Sequence, residues 1–471
     1  MNTMTSTSIR LYDTLTQQKR PFVPLEPGRV RIYACGPTVY HHLHIGNFRS
    51  FIVFDTLGRF LRRQGFEVQL VQNFTDVDDK MIQRAQELQV EVPDLAQRYI
   101  AQYREDAAAL GMEPPYESPR ATEHVPEIVA HIEGLLDAGL AYVLDGDVYF
   151  RVASFPDYGK LSHQSPDERL AGARIEVDQR KEDPADFVLW KSSRPGEPSW
   201  LSPWGLGRPG WHIECSAMAR CYLGDTVDIH AGGMDLIFPH HENEIAQSEG
   251  LLHKPLARYW MHVAMLTMDG AKMSKSQGNI VPLSELRQSY RPQAIRLFLL
   301  SAHYRTPLAF REDLVASSQA SLERIENCLA RLDHLLPHAA RDNRGDQSYL
   351  ERLERAEREF EAALADDLNT AQAQAVLFDV VREANTHLDV DTAQQVIERT
   401  RDFLVESLAT MGIELDGGEE QLDDDVDRLI ADRERARQAR DYAQADRIRD
   451  ELRSRGIVLE DTPQGVRWRR G

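Results

Sequence analysis

A four-residue motif in this sequence has side chains suited to binding phosphate. It is HIGN, at positions 44–47, between a predicted strand and a predicted helix. The free N–H groups of a helix N-terminus attract phosphate, and Gly46 allows a nucleotide to approach the backbone closely. His44 and Asn47 can both donate hydrogen bonds to phosphate oxygens. The motif therefore predicts part of a nucleotide site.

A second motif, KMSKS at positions 272–276, lies much later in a glycine-flanked loop. Lys272 and Lys275 provide two mobile positive charges, which suit the negative charge that develops on a departing pyrophosphate. Either motif alone is weak evidence, because an exposed basic loop is common. The two motifs in this order favour a site that activates a substrate with a nucleoside triphosphate.

A third group of residues has the chemistry of a metal site. Cys35 follows a predicted strand, Cys215 lies in the segment PGWHIEC, and His240 and Glu244 lie in and after the run PHHEN. On a helix, residues four apart share a face. Two thiolates, an imidazole and a carboxylate suit Zn²⁺. On spacing alone, the neighbouring His241 and Glu242 compete as ligands.

The patterns around these residues predict a parallel sheet. Arg29–Cys35 alternates and contains β-branched and aromatic side chains, as strands do. Apolar residues recur at helical spacing over Gly46–Gln64, and Phe66–Gln72 has strand character. A strand, a helix and a strand in this order imply a βαβ unit with a cleft at the strand ends. Further strands are predicted at Val227–His230 and Arg258–Met265.

Composition limits the class of protein. The 471 residues carry a formal charge of -20, which excludes binding of nucleic acid through bulk positive charge but allows a local basic patch. Four scattered cysteines do not form a disulfide scaffold. No apolar run is long enough to cross a bilayer, and the N-terminus lacks a signal core. We therefore expect a cytoplasmic protein with no membrane association, and a monomer.

The two signature motifs resemble those of the class I aminoacyl-tRNA synthetases, whose usual forms are HIGH and KMSKS. Longer segments resemble the cysteinyl-tRNA synthetase family over nearly the whole chain. They are CGPTVY from Cys35, NFTDVDDK from Asn73, PGWHIECSAM from Pro209 and GGMDLIFPHHENEIAQSE from Gly232. Asn47 departs from the usual final histidine, since it keeps a hydrogen-bond donor but carries no charge.

The resemblance implies ATP-dependent ligation of L-cysteine to tRNA(Cys) through a cysteinyl-adenylate. His44, Asn47, Lys272 and Lys275 would be catalytic, and ATP, with Mg²⁺, would contact these residues together with Thr38 and Gly46. One Zn²⁺ per chain would bind Cys35, Cys215, His240 and Glu244. Gly36, Thr75, Trp211 and Asp235 would surround the cysteine. Zinc suits this substrate because it prefers a soft thiolate to a hydroxyl, whereas shape alone separates near-isosteres poorly.

Taken with the patterns, the resemblance predicts an α/β fold: a Rossmann-type parallel-sheet catalytic domain followed by an α-helical bundle and a small C-terminal domain. The catalytic domain is expected at 1–315, with an insertion at about 115–205 and the KMSKS loop at 269–279. A tRNA-binding bundle is expected at 316–412, and an acidic linker with an anticodon-binding domain at 413–471. Within the insertion, a hairpin is predicted at Ala141–Val152 and an ordered loop at Ser192–Gly210.

The arginine-rich tail is the predicted tRNA contact. Arg467, Arg469 and Arg470 could contact RNA phosphates or bases, and Trp468 could stack on a base. The earlier arginines of the tail alternate with acids, which favours a salt-bridged surface helix there. Two other functions remain open on these residues. A ligase that joins activated cysteine to an amino sugar should lack the helical region and basic tail, and a non-catalytic RNA-binding paralogue should have a degraded KMSKS motif.

Overall fold

The structure is a computed structural model that describes residues 8–164, 180–268, 270–273, 280–340, 347–415, 424–454, 457–462 and 465–470. The chain forms two compact units. The first comprises Met1–Leu322, Arg358–Val376 and Thr410–Ile413, and the second comprises Glu323–Glu357, Leu377–Ala409 and Glu414–Gly471. These two units are defined by contacts, whereas the predicted domain boundaries rest on sequence patterns. The two divisions are different in kind, so the boundaries stay predictions.

The described strands and helices alternate in the first half of the chain, and helices dominate the second half. The strands are β1 (Arg10–Asp13), β2 (Gln18–Pro21), β3 (Arg29–Ala34), β4 (Glu67–Gln72), β5 (Ala141–Leu144), β6 (Asp147–Phe150), β7 (Phe187–Ser192), β8 (Trp200–Ser202), β9 (Gly205–Pro209), β10 (Val227–Gly233), β11 (Ala257–Val263), β12 (Leu266–Met268), β13 (Ala271–Lys272), β14 (Leu308–Ala309), β15 (Ile457–Thr462) and β16 (Gly465–Arg470). The helices are α1 (Ile45–Arg63), α2 (Asp79–Leu88), α3 (Val92–Ala109), α4 (Val125–Asp137), α5 (Trp211–Leu223), α6 (Glu242–Leu252), α7 (Leu283–Ser289), α8 (Pro292–Leu299), α9 (Glu312–Leu335), α10 (Gln347–Ala365), α11 (Thr370–His387), α12 (Gln394–Thr410), α13 (Asp424–Gln438) and α14 (Tyr442–Ser454).

A four-stranded parallel sheet forms the centre of the first unit, in the order β11-β10-β3-β4. Its strands are mostly buried, as expected where helices cover a parallel sheet. Helix α1 connects β3 to β4 and buries Phe48, Ile52, Leu57 and Phe60. Gly65, with φ of +90°, then turns the chain into β4. The predicted α/β fold and βαβ unit are confirmed.

The insertion contains a five-stranded sheet in the order β5-β6-β7-β9-β8. The predicted hairpin is confirmed, because β5 and β6 pair across Asp145 and Gly146, which both have positive φ. The loop predicted at Ser192–Gly210 is wrong, since it contains β8 and β9. Its glycines serve the sheet: a Cβ on Gly207 would lie 2.3 Å from Nε1 of the buried Trp190.

The region predicted as a helical bundle contains α9, α10, α11 and α12. In the second unit, Cys328 is buried and its Sγ lies 3.9 Å from the carbonyl oxygen of Val381, whereas Cys221 in the first unit is exposed. In the region predicted as an acidic linker and C-terminal domain, α13 begins at Asp424. Residues 416–423 lie outside the described residues. In the part of the chain that is described, no helix has the length and apolarity needed to cross a membrane.

Candidate metal centre and active site

Four side chains from distant parts of the sequence meet in the interior of the first unit. The Sγ atoms of Cys35 and Cys215 are 3.8 Å apart, and Cys35 Sγ lies 3.3 Å from Oε1 of Glu244. The same oxygen lies 3.1 Å from Nε2 of His240. One donor atom from each residue lies within 4.8 Å of the other three, and all four side chains are buried. These are the residues that the sequence analysis grouped as a metal site.

The fold explains how these residues come together. Cys35 directly follows β3, and its N–H donates to the carbonyl of Ala231 in the adjacent β10. Cys215 lies in α5, and Glu244 lies in the first turn of α6, four residues after His240. The parallel strands therefore end at the point where two helices begin. This is the edge at which α/β proteins build their sites.

The structure distinguishes between the two competing ligands, Glu242 and His241. The Glu242 carboxylate accepts N–H groups of Gly159 at 2.8 Å and Ser162 at 2.8 Å, so it is engaged in holding the insertion. Nε2 of His241 lies 4.0 Å from Oε1 of Glu244. Its Nδ1 shares a hydrogen bond with Nε2 of His262, 2.8 Å away. With Cys35, His230 and Glu244 it forms an alternative group of possible ligands. Glu242 is thus a poor candidate, and His241 stays a possible one.

The ionisable groups of the cluster lie close enough to shift one another's pKa. Burial raises the pKa of Glu244, but the adjacent His230 and His240 outweigh this effect and hold it well below its usual range. Burial lowers the pKa of His240, but Glu244 and Cys215 raise it to about 10. The hydrogen bond from Cys35 lowers the pKa of Cys215 to about 6, and burial raises that of Cys35. The four side chains therefore shift one another's pKa strongly, as expected for ionisable groups buried in contact.

Further polar residues surround the cluster, and the sequence analysis did not single them out. His230 Nε2 lies 2.8 Å from Glu244 Oε2, and His212 Nδ1 lies 2.9 Å from His240 Nδ1. The Oδ1 atom of Asn73 lies 3.8 Å from Cys215 Sγ. His212 was detectable, because it precedes Cys215 by three residues and so shares its helical face. His230 was not, since only the pairing of β10 brings it here.

The predicted cysteine-binding residues lie around the cluster in different environments. Gly36 donates its N–H to Asn73 Oδ1 at 2.9 Å, and a Cβ there would lie 1.6 Å from the Asn73 carbonyl oxygen. Thr75 is buried and donates its hydroxyl to Glu214 Oε2 at 2.9 Å. The Trp211 ring lies 4.4 Å from the His240 ring and is 38% exposed. Asp235 is exposed in the 3-10 turn after β10.

A pocket of about 270 Å³ opens beside Trp211. It is lined on one side by Thr38 and the start of α2, and on the other by β7, β9 and His212. Two of its cations, Lys191 and Arg208, both pair with the carboxylate of Asp79. The predicted ATP ligand Thr38 lines this pocket, and its backbone pairs with that of Thr75. The four possible metal ligands do not line this pocket, but two of its lining residues, Trp211 and His212, contact His240.

The HIGN motif forms the N-terminus of α1, as predicted. His44 has extended backbone torsions and is the N-cap, and its N–H donates to Oδ1 of Asn47 at 3.2 Å. A carboxamide at this position thus closes the first turn of the helix. A Cβ on Gly46 would lie 3.0 Å from His44 Nδ1 and 3.4 Å from Leu266 Cβ, so space there is limited.

The remaining predicted residues are described only in part. The backbone of Lys272 lies in β13, which pairs antiparallel with β12, and Lys275 lies outside the described residues. The backbone of the predicted RNA contacts Arg467, Trp468, Arg469 and Arg470 forms β16, which pairs with β15. For this strand the structure describes the backbone alone.

Comparison with known proteins agrees with the arrangement. Residues 21–320 match the catalytic domain of class I (C) tRNA synthetases, 359–416 match the DALR domain, and 419–469 match the cysteinyl-tRNA ligase anticodon binding domain. The chain is 54% identical over 468 residues to a cysteine–tRNA ligase of Symbiobacterium thermophilum, covering 98% of this chain and 99% of that protein. It is 52% identical to one from Anoxybacillus flavithermus, covering 98% and 100%.

Solved structures with low sequence identity share the fold. Mycobacterium tuberculosis methionyl-tRNA synthetase, solved with methionyl-adenylate, superposes with a TM-score of 0.60 at 16% identity, over 82% of this chain and 89% of that one. Agrobacterium radiobacter LeuRS in a ternary complex with tRNA gives a TM-score of 0.60 at 13% identity, over 83% and 84%. At these identities the likeness concerns architecture alone.

Proposed function

This chain belongs to the cysteine–tRNA ligase family of class I aminoacyl-tRNA synthetases, and we propose that it selects cysteine through a zinc ion and activates it as an adenylate. One observation carries the proposal: Cys35, Cys215, His240 and Glu244 bring donor atoms within 4.8 Å of one another in a buried site. Joining cysteine to tRNA is the activity of the family. The zinc, the adenylate and the roles of single residues are the proposal.

The donor set fits zinc. Two sulfurs, one imidazole nitrogen and one carboxylate oxygen are a common set for this ion, whereas Mg²⁺ or Ca²⁺ would prefer oxygen alone. When bound, zinc would supply a soft Lewis acid that favours the substrate's thiolate over the hydroxyl of serine. His230 and His212 lie against Glu244 and His240, so they would orient those ligands.

The chain's own residues would complete the cysteine site. Trp211 forms an apolar wall over His240, and Asp235, exposed nearby on the same sheet edge, would pair with the substrate ammonium. Gly36 leaves its backbone close to Asn73, so no side chain intrudes there. Thr75 holds Glu214 through its buried hydroxyl, and it would shape the floor of the site. The pocket beside Trp211 would bring the substrate next to the cluster, since Trp211 and His212 line the pocket and contact His240.

Activation would take place at the N-terminus of α1. Its free N–H groups, together with His44 and Asn47, would hold the triphosphate of ATP, and Gly46 would admit it close to the backbone. Lys272 and Lys275 would meet the pyrophosphate as it leaves, and Mg²⁺ would accompany the nucleotide. The cysteine carboxylate attacks the α-phosphorus, which forms the mixed anhydride and releases pyrophosphate. Catalysis of this kind consists mainly of positioning and charge stabilisation.

The second step would transfer cysteine to tRNA(Cys). A hydroxyl of the terminal ribose attacks the carbonyl carbon of the adenylate, so that an ester forms and AMP leaves. The proposal that tRNA is the partner is supported by the C-terminal region, because residues 419–469 match an anticodon binding domain. This match also argues against the amino-sugar ligase, which would not need such a domain.

The proposal is tested by cysteine-dependent ATP–pyrophosphate exchange, measured with matched metal content. We expect the wild-type protein to contain about one zinc per chain and to reject serine strongly. Cys215→Ser should lose zinc and discrimination together, whereas the control Cys221→Ser, an exposed cysteine outside the cluster, should retain both. A zinc-free protein that still distinguishes cysteine from serine would contradict the zinc proposal, and absence of exchange in the zinc-loaded protein would contradict the adenylate.

A further inference from the structure

A buried arginine on α1 binds four backbone carbonyl groups from two other segments. Arg49 is 1% exposed. Its Nη1 donates to the carbonyls of Ala264 at 2.7 Å and Met265 at 3.2 Å. Its Nη2 donates to those of Thr306 at 2.7 Å and His303 at 3.2 Å. One guanidinium therefore joins the helix of the HIGN motif to the chain before β12 and to the chain before β14.

Arg49 makes these contacts without an opposite charge. The structure gives it no carboxylate partner among the described residues, and all four acceptors are neutral. Burial lowers its pKa to about 10, so it is still a cation at neutral pH. A buried cation is costly to desolvate, and stability alone would favour an apolar side chain of similar volume. What the guanidinium offers is a rigid planar set of donors that fixes several acceptors at once.

The acceptors lie where they affect the second motif. Ala264 and Met265 directly precede β12, and β12 pairs with β13, whose last residue is Lys272. The N–H of Met273 also donates to the carbonyl of Leu266 at 3.1 Å. The backbone position of Lys272 therefore depends on β12, which is held by its pairing with β14 and by the bonds from Arg49 to the two carbonyls just before it.

The HIGN segment is linked to the far side of the same loop as well. The N–H of Ile45 donates to the carbonyl of Val281 at 3.1 Å, and the N–H of Leu283 donates to that of Leu43 at 3.2 Å. These backbone bonds fix the chain after the KMSKS motif, and Arg49 fixes the chain before it. The attachment through Arg49 is made by a side chain, so a substitution can remove it and leave these backbone bonds in place.

We propose that Arg49 is a positioning residue for adenylate formation, and that its guanidinium fixes the strand bearing Lys272 relative to the N-terminus of α1. The inference rests on the proposed function, because it assumes that ATP lies between these two motifs. Arg49 touches no substrate in this scheme. It acts through the distance between the helix terminus and the lysine, to which charge stabilisation in the transition state is sensitive.

The test compares Arg49 with a second fully buried arginine. Arg296, on α8, donates to the carbonyls of Met411 at 2.7 Å and Leu110 at 3.1 Å and also pairs with the carboxylate of Asp55 in the middle of α1, and none of these partners belongs to either motif. Full-length R49Q, R49K and R296Q are measured for ATP–pyrophosphate exchange, with kcat, KM for ATP and KM for cysteine obtained separately. Thermal unfolding and zinc content are recorded for each variant.

We expect R49Q to lose roughly 10²-fold in kcat/KM for ATP, while KM for cysteine and zinc content stay at the wild-type values. R49K retains the charge but offers only three donors, so it should recover part of the loss. R296Q should lower the unfolding temperature at least as much and yet keep the wild-type kcat/KM for ATP. If R49Q does not fold, R49K is used in its place, and its kcat/KM for ATP should fall about tenfold.

Parallel losses for ATP and cysteine in R49Q, or equal kinetic losses in R49Q and R296Q, would reduce Arg49 to a structural residue and overturn the inference. A wild-type value of kcat/KM for ATP in R49K would do the same when R49Q cannot be purified. These outcomes differ from failure of the proposed function, which would appear as absence of cysteine-dependent exchange in the wild-type protein itself.

Discussion

His230 Nε2 lies 2.8 Å from Oε2 of Glu244, and both side chains are fully buried. The other carboxylate oxygen, Oε1, faces Cys35 and His240. His230 therefore binds one carboxylate oxygen, and the other oxygen is left facing the cluster. Residues that hold a metal ligand in this way usually contribute to affinity without binding the metal themselves.

We predict that His230→Ala lowers zinc affinity by about 10- to 100-fold, because Glu244 loses the partner that orients it. The affinity is measured by competition with a chelator of known strength, at constant pH. His131→Ala is the control, since His131 is also a buried histidine but bonds to the carbonyl of Gln247 outside the cluster. Equal zinc affinity in wild type and His230→Ala would contradict this role.

The metal cluster illustrates how far the sequence leads. The pair His240 and Glu244 is predictable from local spacing, because both lie on one helical face. Cys35 and Cys215 join them only through the fold, since Cys35 follows β3 and reaches the cluster by way of its neighbour β10. The family resemblance is what assigns all four residues to one site before the structure is known. His230 escaped notice because nothing in its local pattern distinguishes it from other residues of a buried strand.

The error at Ser192–Gly210 has the opposite origin. Local composition there is typical of a loop, but β9 pairs with β7, and backbone bonds across a sheet do not depend on local propensity. Gly207 is needed because Trp190 fills the space that a side chain would take. The helices of the C-terminal half were predictable because their apolar spacing repeats over several turns.

Gly36 provides a test of the close packing beside the cluster. A Cβ at this position would lie 1.6 Å from the backbone oxygen of Asn73, which cannot move without disturbing the turn after β4. We predict that Gly36→Ala destabilises the protein by about 3 kcal/mol or more, seen as a lower unfolding temperature or loss of folded material.

The matched control for Gly36 is Gly58→Ala, within α1. There the new Cβ would lie 3.6 Å from Nη1 of Arg62, which is an ordinary van der Waals contact. In a helix interior, alanine is more favourable than glycine by about 1 kcal/mol. Gly58→Ala should therefore leave the unfolding temperature unchanged or raise it. A Gly36→Ala variant as stable as the wild type would contradict the packing argument.

The buried His131 should make stability depend on pH. Burial lowers its pKa to about 4, whereas a histidine in the unfolded chain titrates near pH 6.5. Between these values the unfolded state binds more protons, so stability falls as the pH falls from about 6.5 toward 4. The contribution is about 1.4 kcal/mol per pH unit within that range.

His131→Gln removes this titration while keeping a hydrogen-bond donor for the Gln247 carbonyl. We predict that its unfolding temperature changes less than that of the wild type between pH 6.5 and 5.0, a range above most carboxylate titrations. Above pH 7 the two proteins should differ by a constant amount. Parallel curves over the whole range would show that His131 does not titrate as its burial implies.

The arginines of the C-terminal region separate into two groups that should respond differently to substitution. On α13 and α14, Arg435 pairs with Asp432 and Arg449 lies 3.3 Å from Asp446, which supports the salt-bridged surface predicted there. Arg467, Arg469 and Arg470 lie on β16 near the end of the chain. We propose the second group as the RNA contact, because no acidic residue alternates with them in sequence.

The comparison is between Arg467→Ala/Arg469→Ala/Arg470→Ala and the control Arg435→Ala/Arg449→Ala. We predict that the β16 variant raises KM for tRNA about tenfold or more and lowers the slope of log affinity against log salt by up to about 0.7–0.9 per lost phosphate contact. Cysteine-dependent pyrophosphate exchange should not change in either variant, because neither group of arginines belongs to the adenylation site. The control should also keep its KM for tRNA, since its cations are already neutralised by neighbouring acids. Equal effects of the two variants on tRNA charging would mean that net charge alone attracts the RNA, and the assignment of β16 as a specific contact would be wrong.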